Sequence, residues 1–288
     1  MTEHLRFTKG HGTENDFVLV PDVEGQRDLS AMDVAWLADR RAGIGGDGVI
    51  RVVPTAKASE TAIRALADEA PWFMDYRNAD GSVAQMCGNG TRVFASYLRR
   101  EGLETEDEFA IATRAGVKRI RFEGDQIVTH MGRWRLTEPD KANSDGFDAL
   151  VHLGSGHPFS ALSVDMGNPH TVVALPEGVD LDEIDLTQPP EVRPHPLEGT
   201  NVEVVRAVGP GHLQMRVHER GVGETRSCGT GVCAAAVALQ FWAGGESAGA
   251  TWIVDVPGGR LTVRLLPNDE VELAGPAALI ADGIVALG

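Results

Sequence analysis

Apolar residues in this chain fall mostly into short runs cut off by Gly, Pro, Asn or Asp. Runs of that kind read as strands of a mostly antiparallel structure. The spacing predicts strands over Arg6–Lys9, Asp16–Val20, Gly48–Val53, Trp72–Arg77, Phe109–Ala112, Val117–Phe122 and Gln126–His130. In the second half it predicts Leu162–Met166, Thr171–Leu175, Asn201–Ala207, Leu213–His218, Thr251–Val256, Arg260–Leu265 and Glu270–Ala274. Helical spacing is rarer. Ala31–Arg41 follows Ser30, a candidate N-cap, and gathers Val34, Ala35, Leu37 and Ala38 on one side. Asn89–Arg100 repeats Val93, Phe94, Tyr97 and Leu98, places Arg99 and Arg100 at its negative end, and stops at Gly102. Thr230–Ala243 is apolar nearly all round and is expected to be buried. The polar stretch Leu136–Ser160 suggests a boundary near residues 130–135, and the acidic, proline-rich Pro176–Thr200 is expected to wrap the second half.

The pattern repeats. Cys87-Gly88-Asn89-Gly90 and Cys228-Gly229-Thr230-Gly231 each open a helix. Nine residues before the first cysteine stands Asn78, and nine before the second stands Glu219, each closing a strand. Asn15-Asp16 opens FVLV as Asn168-Pro169-His170 opens TVVAL. Each half therefore reads as polar residue, strand, glycine-rich loop, cysteine, helix, which implies a duplicated unit.

Composition narrows the chemistry. With 288 residues, 42% hydrophobic and 24% charged, the chain is globular and long enough for two domains. No apolar run is long enough to span a bilayer, and the N-terminus lacks the apolar core of a secretory signal, so a cytoplasmic protein is expected. A net charge of −16 argues against nucleic-acid and anionic-membrane partners. Three cysteines are too few for a disulfide framework or a four-cysteine zinc site, and the nine histidines show no metal spacing. None of the four lysines, Lys9, Lys57, Lys118 and Lys141, stands in a cofactor motif. No metal or cofactor is expected.

A cysteine just ahead of a helix lies near unpaired N–H groups and the positive end of the dipole, which favours thiolate. The same N–H groups suit a carboxylate. Two such thiols on opposite sides of one substrate fit a two-base inversion, in which one removes a proton from the carbon beside a carboxylate and the other returns one to the opposite face. Cys233, inside the apolar helix, is read as structural. A thiol redox sensor is the alternative of a different class. The loop Gly43–Gly48 lies between helix and strand, the reverse of a phosphate loop, and is read as a tight turn.

The segments KGHGTENDFVLV (9–20), RAGIGGDGV (41–49), MDYRNADGSVAQMCGNGTRVFASYL (74–98), VDMGNPHTVV (164–173), GTNVEVV (199–205) and MRVHERGVGETRSCGTGVCAAAVA (215–238) resemble the diaminopimelate epimerase family, most closely its actinobacterial members. The resemblance implies cofactor-independent epimerisation of LL-2,6-diaminoheptanedioate to the meso isomer, in lysine and peptidoglycan-precursor biosynthesis, by a homodimer. It makes Cys87 and Cys228 the acid–base thiols and His170 and Glu219 the groups that tune them. Asn15, Asn78, Gly88, Asn89, Asn168, Asn201, Glu219, Arg220, Gly229 and Thr230 become substrate-binding positions. The implied fold is α+β with two pseudo-symmetric domains, each a curved, mostly antiparallel sheet around a central helix. Their expected extents are 1–130 with 275–288, and 131–274, with the active site between them. The sequence departs from the family pattern at Gly48, where many relatives carry Gln, and at Glu14, where glycine is commoner. A proline or hydroxyproline racemase is the enzymatic alternative.

Overall fold

In the computed structural model, which describes residues 3–154 and 156–287, the chain divides into two units. One holds the residues up to Thr129 and those from Gly275 onward, the other His130–Ala274. In the first, β1 (Glu3–Gly12) and β2 (Asn15–Pro21) form a hairpin, and β2 runs parallel to β3 (Gly48–Pro54). β3 turns back as β4 (Trp72–Asn78), which runs parallel to β5 (Glu108–Thr113), and β6 (Gly116–Glu123) and β7 (Gln126–Arg133) continue antiparallel. The C-terminal strand Ala278–Leu287 pairs antiparallel with β1.

The second unit repeats that order. Short strands β8 (Arg135–Leu136) and β9 (Ala149–His152) lie against β10 (Phe159–Asp165), which forms a hairpin with β11 (Pro169–Ala174). β12 (Glu191–Arg193) pairs with β9, and β11 runs parallel to β13 (Asn201–Gly209). β13 pairs with β14 (His212–Glu219), which carries the short β15 (Gly223–Thr225) on one flank and runs parallel to β16 (Thr251–Val256). β17 (Gly259–Leu265) and β18 (Glu270–Gly275) complete an antiparallel run. The architecture is α+β and mostly antiparallel. The long helices Gly88–Arg100 and Gly229–Ala243 occupy equivalent crossovers, β4 to β5 and β14 to β16.

Continuous apolar runs arise where both faces of a strand are covered. Phe17 and Leu19 of β2 pack with Val93, Phe94 and Leu98 of the central helix, whereas Val18 and Val20 face Val34 and Leu37 of the helix Ala31–Ala38. Each such side chain, fully buried, contributes roughly 1.5–3 kcal/mol. In the second unit, Val202 and Val204 of β13 pack with Leu181 and Leu186 from the acidic segment, which thus covers the outer face.

The structure corrects one local expectation and adds detail at two other places. The first helix ends at Ala38, not Arg41: Asp39 is extended, and its carboxylate accepts the N–H groups of Arg41 and Ala42, forming a turn that competes with the next helical turn. The polar stretch Leu136–Ser160, for which the spacing predicts no element, contains a helix Pro139–Asp145 and β9. That helix buries only Ala142 and is held from outside by Trp242 Nε1 donating to the Gly146 carbonyl at 2.7 Å. Ser155, further along the same stretch, lies outside the described residues. Finally, Thr13 and Glu14 link β1 to β2 with φ of 49° and 61°, a two-residue turn that needs left-handed backbone. This explains why glycine suits position 14. No helix among the described residues is long and apolar enough to cross a membrane.

The first unit also buries charge. Asp75 accepts from Arg51 at 3.0 Å and from Arg114 at 2.6 Å, while Arg51 reaches Asp22 at 3.0 Å and Arg114 reaches Glu60 at 2.6 Å. Burial raises the Asp75 carboxyl, but the Arg114 hydrogen bond and the charges of Arg114, Arg77 and Arg51 outweigh it and hold it below its ordinary value. A lowered pKa stabilises the fold above the ordinary carboxylate value and is lost as pH falls through the folded one. Asp75→Asn is therefore expected to cost about 3–5 kcal/mol at neutral pH. Urea melts should show that penalty shrinking below about pH 4; an equal penalty at both pH values would contradict this account.

Candidate active site

Both reactive-thiol candidates are helix N-caps. Cys87 has φ −140° and ψ 120°, extended backbone, and its sulfur accepts the Gly90 N–H at 3.4 Å. Its S–H faces Asn15 Oδ1 at 3.5 Å. The same oxygen accepts from Asn89 Nδ2 at 3.2 Å, and Asn15 Nδ2 donates to Asp47 Oδ2 at 2.7 Å. Asn15 thus has both ends of its amide fixed by protein groups. Asp47 belongs to the glycine-rich turn after the first helix, so that turn serves to anchor Asn15. Arg92, fully buried, donates to Asn89 Oδ1 at 2.9 Å and to the Gly88 carbonyl at 3.2 Å. Asn78 lies at the exposed end of β4, donating to Ser82 Oγ at 3.0 Å and accepting from Tyr76 at 3.1 Å.

Cys228 occupies the equivalent cap with φ −122° and ψ 114°, but its surroundings differ. It is buried, and its sulfur lies 3.6 Å from Thr230 Oγ1. Thr230 accepts from Asn168 Nδ2 at 3.4 Å, and Asn168 Oδ1 lies 3.1 Å from His170 Nε2. The other ring nitrogen of His170 meets Glu203 Oε1 at 2.7 Å. Glu219 closes β14 and accepts from Thr225. Asn201 Oδ1 accepts the backbone N–H of Arg220 at 2.9 Å, while the exposed Arg220 guanidinium donates to the Glu198 carbonyl.

The electrostatics correct one expectation. A helix start alone favours thiolate, yet burial, together with the Glu219 and Glu203 carboxylates, pushes the Cys228 thiol well above its ordinary value, against hydrogen bonds from Thr230 and Gly231. Desolvation and nearby negative charge outweigh the partial charge of the dipole. Burial also raises Glu219, aided by the Glu203 charge and opposed by bonds from Thr225 and Cys228 and by the charge of His170. Cys228 and Glu219 therefore stand as a pair biased toward holding protons.

The structure brings Asn15, Gly88 and Asn89 to Cys87, and Asn168, His170, Glu219, Gly229 and Thr230 to Cys228. Asn78 lies at the end of β4, Asn201 at the start of β13 and Arg220 just after β14. Glu203, Arg92 and Asp47 were not singled out from the sequence. The signal for Glu203 was a lone charge in the apolar run Asn201–Val205, easily read as one polar position of a half-exposed strand. Among the described residues, no cluster of three or more His, Cys, Asp or Glu side chains is arranged to hold a metal ion.

A family model described as diaminopimelate epimerase matches residues 7–137 and 162–280. The chain is 49% identical to a diaminopimelate epimerase of Streptomyces coelicolor, with 98% of this chain and 96% of that protein covered. It is 48% identical to one of Thermobifida fusca, with 98% of each covered. Among solved structures, a PhzF-family phenazine biosynthesis protein of Bacillus anthracis aligns with a TM-score of 0.67 at 17% identity, covering 99% of this chain and 100% of that one. A hydroxyproline epimerase of Agrobacterium vitis aligns with a TM-score of 0.65 at 15% identity, covering 99% and 93%. At those identities the likeness is one of fold alone.

Packing at the two helix starts makes a pair of glycines unequal. A Cβ on Gly90 would meet Cys87 and Ile50 at 3.4 Å, whereas one on Gly231 would lie 2.5 Å from Glu203 Oε1. Glu203 is fully buried and tied to His170, so it has little room to yield. Gly231→Ala should lower thermal stability by about 1–3 kcal/mol and Gly90→Ala by clearly less. Equal melting temperatures for the two variants would contradict that reading.

Proposed function

The chain belongs to the diaminopimelate epimerase family, and we propose on that premise that it interconverts LL-2,6-diaminoheptanedioate and its meso isomer, a step of lysine biosynthesis, with Cys87 and Cys228 as its two acid–base groups. The observation that carries this reading is the pair of cysteine N-caps at equivalent places in two repeated units. Deprotonation breaks the α-carbon–hydrogen bond: its electron pair passes to the carbon and is shared with the adjacent carboxylate, while the proton goes to a thiolate. A proton then leaves the other thiol for the opposite face of the carbon, and the configuration inverts. One cysteine ends as a thiol and the other as a thiolate, so the roles exchange with direction.

Nothing in this sequence of steps calls for an external electron sink, provided that the substrate carboxylate is held by strong donors in a dry site. The first-turn N–H groups at Gly88–Asn89 and Gly229–Thr230 are the donors of choice, being fixed by the buried central helices. Asn15 and Asn168 orient the two sulfurs. The raised thiol of Cys228 suits it to donate in the resting enzyme, leaving Cys87 to accept. Asn78, Asn201 and the exposed Arg220 are suited to the distal end of a long zwitterion, with the guanidinium on its carboxylate. We take the enzyme to act in the cytoplasm, as a homodimer. The acidic balance of the chain fits a small-molecule substrate rather than a polyanion. Exposed Ile280 and Ile284 of the C-terminal strand supply apolar surface of the kind a dimer covers.

Incubation of LL-diaminopimelate in D2O without added cofactor should exchange the α-proton and yield the meso isomer. Cys87→Ala and Cys228→Ala should each lose about 10²–10⁴-fold in turnover while remaining folded. Full activity of either variant would defeat the two-thiol scheme, and exchange of proline in place of diaminopimelate would favour a racemase of cyclic amino acids.

A further inference from the structure

We propose that Glu203 is a positioning residue for the Cys228 half of the reaction: its buried carboxylate fixes His170 and, through Asn168 and Thr230, fixes the hydrogen bond that meets the Cys228 sulfur. The proposal rests on the two-thiol reading above and adds the group that makes the two thiols unequal.

The chain of contacts has a direction. Both His170 nitrogens face oxygens, Glu203 Oε1 at 2.7 Å and Asn168 Oδ1 at 3.1 Å, so the ring is held between the two side chains. With its oxygen toward His170, Asn168 turns Nδ2 to Thr230 Oγ1 at 3.4 Å. Thr230 Oγ1 accepts there, which leaves its own proton for Cys228 Sγ at 3.6 Å. A sulfur so met is oriented, and its thiolate gains a donor when the proton has left. The charged and titratable groups around this sulfur are Glu219 from the end of β14, His170 from β11 and Glu203 from β13.

Two observations set Glu203 apart from an ordinary core residue. Its Oε2 has no hydrogen-bond partner among the described residues, although the side chain is fully buried. A fold has no need of such a carboxylate, since an apolar side chain would avoid its desolvation. The repeat shows that apolar solution in place. Strand register matches Phe17 opposite Gly48 with His170 opposite Asn201. Two residues along each strand, Ile50 stands where Glu203 stands, and Phe17 and Ile50 line Gly90 as Glu203 lines Gly231. The Cys87 half therefore has an apolar pair where the Cys228 half has a carboxylate and an imidazole.

The test is Glu203→Gln, with alkylation by iodoacetamide followed at Cys87 and Cys228 separately by peptide mass spectrometry across pH. Removing the charge should lower the Cys228 midpoint by about one pH unit and leave that of Cys87 in place, with kcat falling while KM stays close to the starting value. Thr230→Val should move the Cys228 midpoint the other way, because the donor to the thiolate is gone. An unchanged Cys228 midpoint in folded Glu203→Gln would overturn the proposal. Should that variant not fold, Glu203→Asp carries the test: the shorter carboxylate withdraws from His170, and an unchanged kcat would overturn the positioning role. Alkylation needs no substrate. A wild-type protein that failed to epimerise diaminopimelate would thus defeat the functional reading while leaving the Cys228 shift to be read.

Discussion

A helix enclosed by a sheet has no water at its first turn, so its leading N–H groups must be met by something built into the protein or by a ligand. Both central helices of this molecule face that constraint. Gly88–Arg100 is buried from Gly88 through Leu98 except at Ser96, and Gly229–Ala243 is buried over its first eleven residues except at Thr230. Each starts with a cysteine in extended conformation, and glycine follows directly, which leaves the amides unshielded by side chains. The strands are arranged around these starts. β2 delivers Asn15 to one sulfur, and the turn before β11 delivers Asn168 to the neighbourhood of the other.

Duplication gives the two halves one backbone plan, and a few side chains then give them different electrostatics. Phe17 and Ile50 are apolar where His170 and Glu203 form a close pair. The repeat also sets Arg92 at the position of Cys233, each five residues after its capping cysteine. A buried guanidinium accompanies one thiol, and two carboxylates accompany the other. Inversion of a stereocentre asks for one group ready to accept a proton and one ready to give it. In the proposed two-thiol scheme a perfect repeat would make the two thiols alike, and the divergence at three buried positions makes their surroundings unequal. The cost is borne in burial of charge, which the surrounding apolar strands offset.

Much of this was legible from the chain because local rules apply to the central features. The Cys-Gly-x-Gly starts, the apolar run of the second helix and the strand spacing are short-range patterns, and they put the helix starts within a residue of where they stand. The first helix was read three residues too long, since a side-chain turn at Asp39 competes with helix in a way that apolar spacing does not record. Apolar spacing gives no helix at Pro139–Asp145 because the anchor of that helix, Trp242, is about a hundred residues away. Glu203 escaped for a related reason. Alternation in a strand says which positions share a face, but it does not say that the face is covered.

The sequence by itself determined the duplication, the two capping cysteines, the asparagines and the His170 and Glu219 side chains near them, and the family, because each depends on residue identity at short spacing. Which way the Cys228 proton is biased was decided only by tertiary structure. The dipole of a helix start is a local property and argues for thiolate. Desolvation and the charges of Glu203 and Glu219 depend on what the fold packs against that start, and at a buried sulfur they are the larger effect.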